Sequence, residues 1–190
     1  HVHASPELFV RLGDEVDLAH HAVATGLAGI MVKNHFESTV GRAALADKLV
    51  EGTRVFGGLV LNHSVGGLNP LAVETALRLG ARQIWMPTVD AAAHGQSFGN
   101  LGGFGYQKSG LRLDRHPIRV LDPEGKIKPE VTVIVDLVRE ADAILGTAHL
   151  DREEIFALAE FSRKVGFAKL LVTHPEFNPP ALSIDEQKQL

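Results

Sequence analysis

A regular interval constrains this chain more than any other feature. Apolar runs of strand length begin at Val2, Ala28, Val55 and Gln83, spaced 26, 27 and 28 residues, and each leads into a segment of helical period. One such interval holds a strand, a helix and two short connections, so the chain reads as repeated βα units rather than a short-repeat solenoid. Successive units of this kind put parallel strands in a sheet with helices outside it. The strands are expected at Val2 to Ala4, Ala28 to Val32, Val55 to Leu61, Gln83 to Met86, Ala143 to Thr147 and Lys169 to Thr173. Helices are expected over Glu7 to Thr25, Val40 to Leu49, Pro70 to Gly80, Pro129 to Ala141 and Asp151 to Val165, with Asn69 and Pro70 forming a start signal for the third strand's helix. A last helix begins at Ser183, which has Glu186 three residues on.

The interval then doubles. From Gln83 to Ala143 it is 60 residues, and the extra length, 91–128, reads as a loop insertion rich in Gly between Gly95 and Gly110. Glycines 99, 102, 103 and 105 imitate a dinucleotide fingerprint but do not sit between a strand and its own helix. Phe98, Phe104 and Tyr106 are suited to a lid. Six βα units in one domain of 190 residues, against about 250 residues for a complete (β/α)8 barrel, give the expectation of an α/β fold of TIM-barrel type that is incomplete. Both ends of the sequence read as cut.

Composition narrows the function. Nineteen Lys and Arg against 23 Asp and Glu leave a net charge of −4 with no basic run longer than a pair, which argues against a nucleic-acid partner. No apolar stretch approaches the roughly 18 residues of a membrane span, and no signal peptide is visible, so the expected compartment is the cytoplasm. With no Cys, any metal must be held by nitrogen and oxygen ligands, and the 10 His become the telling count.

Their positions matter more than their number. His1 and His3 lie on the first strand, Lys33 and His35 close the second, Asn62 and His63 the third, His149 the fifth and His174 the sixth. The C-terminal ends of parallel barrel strands open on one face, where side chains distant in sequence converge. His1 and His3, two apart on a strand, point to one side about 7 Å apart at the backbone, and Lys33 and His35 share a parity. Neutral imidazoles suit Zn, Mn, Fe or Ni, and a bound ion lowers the pKa of water to about 7. Chance would scatter His through helices and loops, as with His20, His21, His94 and His116, which are left outside the metal set.

The segments His1-Val2-His3-Ala4-Ser5-Pro6, Val32-Lys33-Asn34-His35-Phe36, Leu61-Asn62-His63, Trp85-Met86-Pro87-Thr88-Val89-Asp90, Gly146-Thr147-Ala148-His149-Leu150 and Val172-Thr173-His174-Pro175-Glu176-Phe177 resemble an uncharacterised group of amidohydrolase-like, TIM-barrel metal-dependent hydrolases. The likeness runs along essentially the whole chain. It implies a mono- or binuclear centre holding a divalent metal, Zn first, with His1, His3, His149 and His174 as ligands, and the strand-end His35 completes the candidate metal set. The family's bridging Lys on strand four has no counterpart, because that strand closes with Pro87 to Asp90. Lys33 is the strand-end lysine that could substitute for it or bind substrate, and the family's Asp at strand eight falls beyond the sequence. Lys33 and Glu176 stand as catalytic candidates, and Asn62, His63, Thr88 and Asp90 as substrate-binding ones.

The expected activity is hydrolysis of an amide, cyclic amide or ester of a small molecule by metal-activated water. A phosphoesterase of the polymerase and histidinol phosphatase type is the alternative enzyme; it calls for more strand-end acids than Glu37, Asp90 and Glu176 supply. A non-catalytic barrel binding a ligand in the same mouth is a further alternative, as is a chain whose His are structural. Unpaired edges on the first and sixth strands would favour a homo-oligomer.

Overall fold

Strands form where the recurring apolar runs stand. The computed structural model describes residues 1–190: β1 Val2–His3, α1 Glu15–Ala24, β2 Gly29–Lys33, α2 Val40–Leu49, β3 Arg54–Phe56, β4 Gly58–Val60, α3 Pro70–Arg78, β5 Gln83–Trp85, α4 Ala92–Phe98, α5 Pro129–Glu140, β6 Ile144–Gly146, α6 Arg152–Lys164, β7 Leu170–Leu171 and α7 Ile184–Gln189. The architecture is mixed α/β. Its strands run β1-β2-β3 in one sheet and β4-β5-β6-β7 in another, every pair parallel. Register is in phase along each sheet: His3 lies opposite Lys33, Val60 opposite Trp85, Trp85 opposite Gly146 and Gly146 opposite Leu171. The residues that follow these strand ends therefore emerge on one edge.

The third expected strand, Val55 to Leu61, is broken at Gly57. A Cβ there would lie 2.7 Å from both the Thr39 carbonyl oxygen and the Val40 Cα, so the start of α2 presses directly on this backbone. Thr39 repairs the break. Its hydroxyl donates to the Val32 carbonyl at 2.8 Å and accepts from Gly58 N–H at 2.9 Å, while its own N–H donates to the Gly58 carbonyl at 3.0 Å. Backbone groups that leave the ladder are thus satisfied by one buried side chain.

Two other expectations change. The first helix begins at Glu15, not Glu7, because the Asp14 carboxylate accepts from Val16 and Asp17 N–H, and Asp17 returns a bond to Asp14 N–H, a reciprocal cap. Residues 5–13 instead form a loop closed by Ser5 N–H donating to the Gly13 carbonyl at 2.8 Å. Within 91–128, Ala92 to Phe98 is helical, and Ile118 is tied back to the β5 end by bonds with Asp90 and Ala92 at 2.8 and 2.9 Å.

The larger apolar core lies under β4 to β7, where Val131, Ile134, Val135 and Val138 of α5 are completely buried at three- and four-residue spacing. A smaller core joins β1 to β3 with α1 and α2. No helix is long and apolar enough to cross a membrane.

Candidate metal centre

Beyond the strand ends lies a cavity of about 180 Å³, lined by His1, His3, Lys33, His35, His149 and His174 with Phe104 and Phe177. All five histidines singled out in the sequence meet here with Lys33. Neighbouring rings form a chain: His1 to His3 at 5.6 Å between centroids, His3 to His35 at 4.6 Å, His35 to His149 at 6.1 Å and His149 to His174 at 5.2 Å. In-phase register explains the convergence. His3 and Lys33 are paired across β1 and β2, His35 follows with the parity of Lys33, and His149 and His174 each lie three residues past the ends of the adjacent strands β6 and β7.

Three of these rings direct Nδ1 toward a partner. His35 Nδ1 is 2.8 Å from Thr88 Oγ1, and Asn62 fixes Thr88 by donating to that oxygen at 2.6 Å and accepting its N–H at 2.9 Å. His149 Nδ1 is 2.9 Å from Nδ1 of His94, whose Nε2 is 2.7 Å from the Gly103 carbonyl oxygen. His3 Nδ1 lies 3.5 Å from Glu7 Oε2 and 3.3 Å from Arg11 Nη2. His174 is different: its Nδ1 is buried with no hydrogen-bond partner in the protein.

Glu7 is the carboxylate next to the cavity. Its side chain is wholly buried, it accepts His35 N–H at 2.9 Å and is paired with Arg11. Ligand-type atoms of His3, Glu7 and His35 all lie within 4.8 Å of one another. Burial would raise the Glu7 pKa, but hydrogen bonds from His3, Arg11 and the His35 backbone hold it below the usual carboxylate value.

Burial depresses the pKa of His3, His35, His94, His149 and His174, most strongly for His35 and His149, which also face Lys33. The rings are therefore neutral, the state that ligates a metal. Lys33 is brought down to about 7, chiefly by burial. Its Nζ lies 5.4 Å from the centre of the Trp85 ring. Trp85 fits because each adjacent strand has a glycine against its ring: a Cβ at Gly146 would come within 2.6 Å of the ring, and one at Gly58 within 2.7 Å. The backbone is also strained at His174, with φ of +35°, and beside His149, with φ of +52° at Ala148, a feature that clusters at functional sites.

The remaining candidates lie elsewhere. Asn62 and Thr88 are fully buried, and their hydrogen bonds to each other, to His35 and to the Asp90 N–H form the wall behind the His35 ring. His63 lies within 2.7 Å of the His116 carbonyl oxygen through Nε2, and Asp90 accepts His63 N–H at 2.9 Å with Arg115 at 3.5 Å. Neither lines the cavity. Glu176 is exposed and also outside it. Sequence reasoning missed Glu7, which it placed in a helix, and His94, which it left among the scattered histidines but which is completely buried. The signal for the first was available in Asp14 and Asp17, whose spacing marks a helix start. A larger hollow of about 430 Å³ beside Glu7, Asn34 and Phe36 contains no imidazole.

One protein-family model matches the chain over residues 1–190. The chain belongs to DUF6282, a family of unknown function. No curated protein and no solved structure matches it. The family match spans every residue of the cavity.

Proposed function

We propose that the chain is a metal-dependent hydrolase of the amidohydrolase type, its two parallel sheets forming an arc of a TIM-like barrel with the site at the strands' C-terminal edge. The observation that carries this reading is the cavity of five imidazoles in which His35 and His149 each hold Nδ1 against a neighbour, 2.8 Å from Thr88 Oγ1 and 2.9 Å from His94 Nδ1, so that Nε2 is the nitrogen left over. Metal-binding histidines are held in this way by a partner on the other ring nitrogen. The unpartnered, buried Nδ1 of His174 adds a donor with no other employment, and an all-nitrogen lining suits Zn, Mn, Fe or Ni. The ligand-type atoms of His3, Glu7 and His35, all within 4.8 Å of one another, fit a divalent ion, with His149 and His174 lining the same cavity as further nitrogen donors and His1 at its rim.

When bound, such an ion supplies Lewis acidity that polarises a carbonyl and acidifies water. The chain supplies the rest. Glu7 ties the His3 and His35 side of the site together, Thr88 orients the His35 ring, and Lys33, whose Nζ makes no hydrogen bond within the protein, presents Nζ–H to an oxygen of the substrate. Phe104 and Phe177 exclude bulk water and restrict the site to small substrates, since about 180 Å³ is below the usual range for drug-sized ligands. A single carboxylate, Glu7, beside five imidazoles favours this reading over the phosphoesterase, which calls for more acidic ligands.

The test is metal content by inductively coupled plasma mass spectrometry on purified protein, with His3→Ala and His149→Ala beside the wild type, followed by a screen of small amides and esters with and without chelator. About one or two equivalents of metal, lost in both variants, and chelator-sensitive turnover are expected. Metal without turnover would turn the reading to a ligand-binding barrel, and no metal after reconstitution would overturn it.

A further inference from the structure

We propose that His94 is a positioning residue that fixes the tautomer of His149, so that His149 carries its proton on Nδ1 and offers a bare Nε2 to the cavity. This deepens the metal-site reading and rests on it. The direction of the hydrogen-bond chain follows from its last member. The Gly103 carbonyl can only accept, so His94 Nε2, 2.7 Å away, holds a proton. Both rings are buried and neither contacts a carboxylate, so each is neutral and has one N–H. His94 Nδ1 is then bare and must accept, and the group that donates across 2.9 Å is His149 Nδ1–H. That proton leaves His149 Nε2 as a lone pair on a ring that lines the cavity.

The geometry supports an in-plane bond rather than a stacked pair. The ring planes are 14° apart and the centroids 5.0 Å apart, close to the nitrogen–nitrogen distance plus two ring radii, as for rings meeting edge to edge. His94 lies on α4, inside the insertion, so the segment that interrupts the βα interval reaches the metal-binding edge through this ring. Phe98 and Phe104 pack around it at 4.5 and 5.0 Å and keep water from competing for the bond.

The experiment is long-range ¹H–¹⁵N correlation on the ¹⁵N-labelled, metal-free full chain, with His94→Leu and His94→Gln and with zinc affinity measured calorimetrically on all three. In the wild type His149 is expected as the Nδ1–H tautomer, with a nitrogen–nitrogen coupling to His94 across the hydrogen bond. In His94→Leu the tautomer preference is lost and zinc affinity falls by about 10- to 100-fold. In His94→Gln, whose amide oxygen accepts the same proton, both are restored. An Nε2–H tautomer in the wild type, or Nδ1–H with unchanged affinity in His94→Leu, overturns the proposal. The wild-type spectrum decides the matter even if His94→Leu does not fold. Absence of zinc binding by the wild type would refute the metal reading while the spectrum still reports on the tautomer.

Discussion

At the scale of single residues the site depends on groups that never face the cavity. Thr88 and Asn62 are the clearest case: together they tie the His35 ring and carbonyl to the end of β5. Thr88→Val keeps the shape but removes the hydroxyl, leaving His35 Nδ1 and one Asn62 N–H without a partner. A loss of about 1–3 kcal/mol in stability is expected, together with a 10- to 100-fold weaker metal affinity, read by urea denaturation and calorimetric titration. Wild-type values for both would remove Thr88 from the account. The strand-end histidines were legible because one face of a parallel sheet gathers strand ends whatever their distance in sequence. The partners of their second nitrogens were not. His94 is 55 residues from His149, and nothing local distinguishes a histidine in a glycine-rich segment that folds over the site from one that stays in solvent.

At the scale of elements, packing between neighbouring strands and the cap of one helix carry distinct predictions. Gly146 on β6 leaves room for Trp85 on β5, and a Cβ there would be 2.6 Å from the Trp85 ring. Gly146→Ala is expected to cost about 1–3 kcal/mol and to move the indole under Lys33, seen as an altered near-ultraviolet circular dichroism spectrum; an unchanged melting midpoint and spectrum would contradict the packing. In the first turn of helix α6, Glu154 is buried and accepts Val120 N–H at 2.7 Å. Burial raises its pKa above 4.5, Asp151 adds to the rise, and Arg119 opposes it. A raised carboxyl pKa means that the folded chain binds the proton more tightly, so this contribution to stability is fully present below about pH 4.5 and is lost as pH rises through the folded value. Glu154→Gln keeps an oxygen for Val120 and removes the titration. The urea midpoint of the variant should therefore gain on the wild type between pH 4 and pH 7; parallel profiles would contradict the assignment. Element boundaries were legible where a cap or a Pro marks them, as at Pro70, Pro129 and Asp151. They were misread at Glu7, where apolar spacing was followed past the stronger stop signal of Gly13 and Asp14, and at Gly57, where only the approach of α2 shows why the strand breaks.

For the whole molecule, the 26- to 28-residue interval sets the result: parallel strands in phase, helices between them, and one edge that collects five imidazoles and a buried amine. The two cores divide the labour, the larger lying under β4 to β7 and so under His149 and His174, the smaller carrying His3 on β1, Lys33 on β2 and His35 just beyond it. A centre assembled from both halves ties them together, so a bound ion present at about 100 times its Kd should raise unfolding free energy by about 2.7 kcal/mol. The most direct test of the central claim is X-ray absorption at the zinc K-edge on protein loaded with one equivalent of zinc. The account predicts a first shell of nitrogen and oxygen at about 2.0–2.1 Å with the outer-shell scattering of at least three imidazoles, reduced by one in His149→Ala. A shell of water oxygens without imidazole scattering, or a spectrum unchanged in that variant, would contradict it.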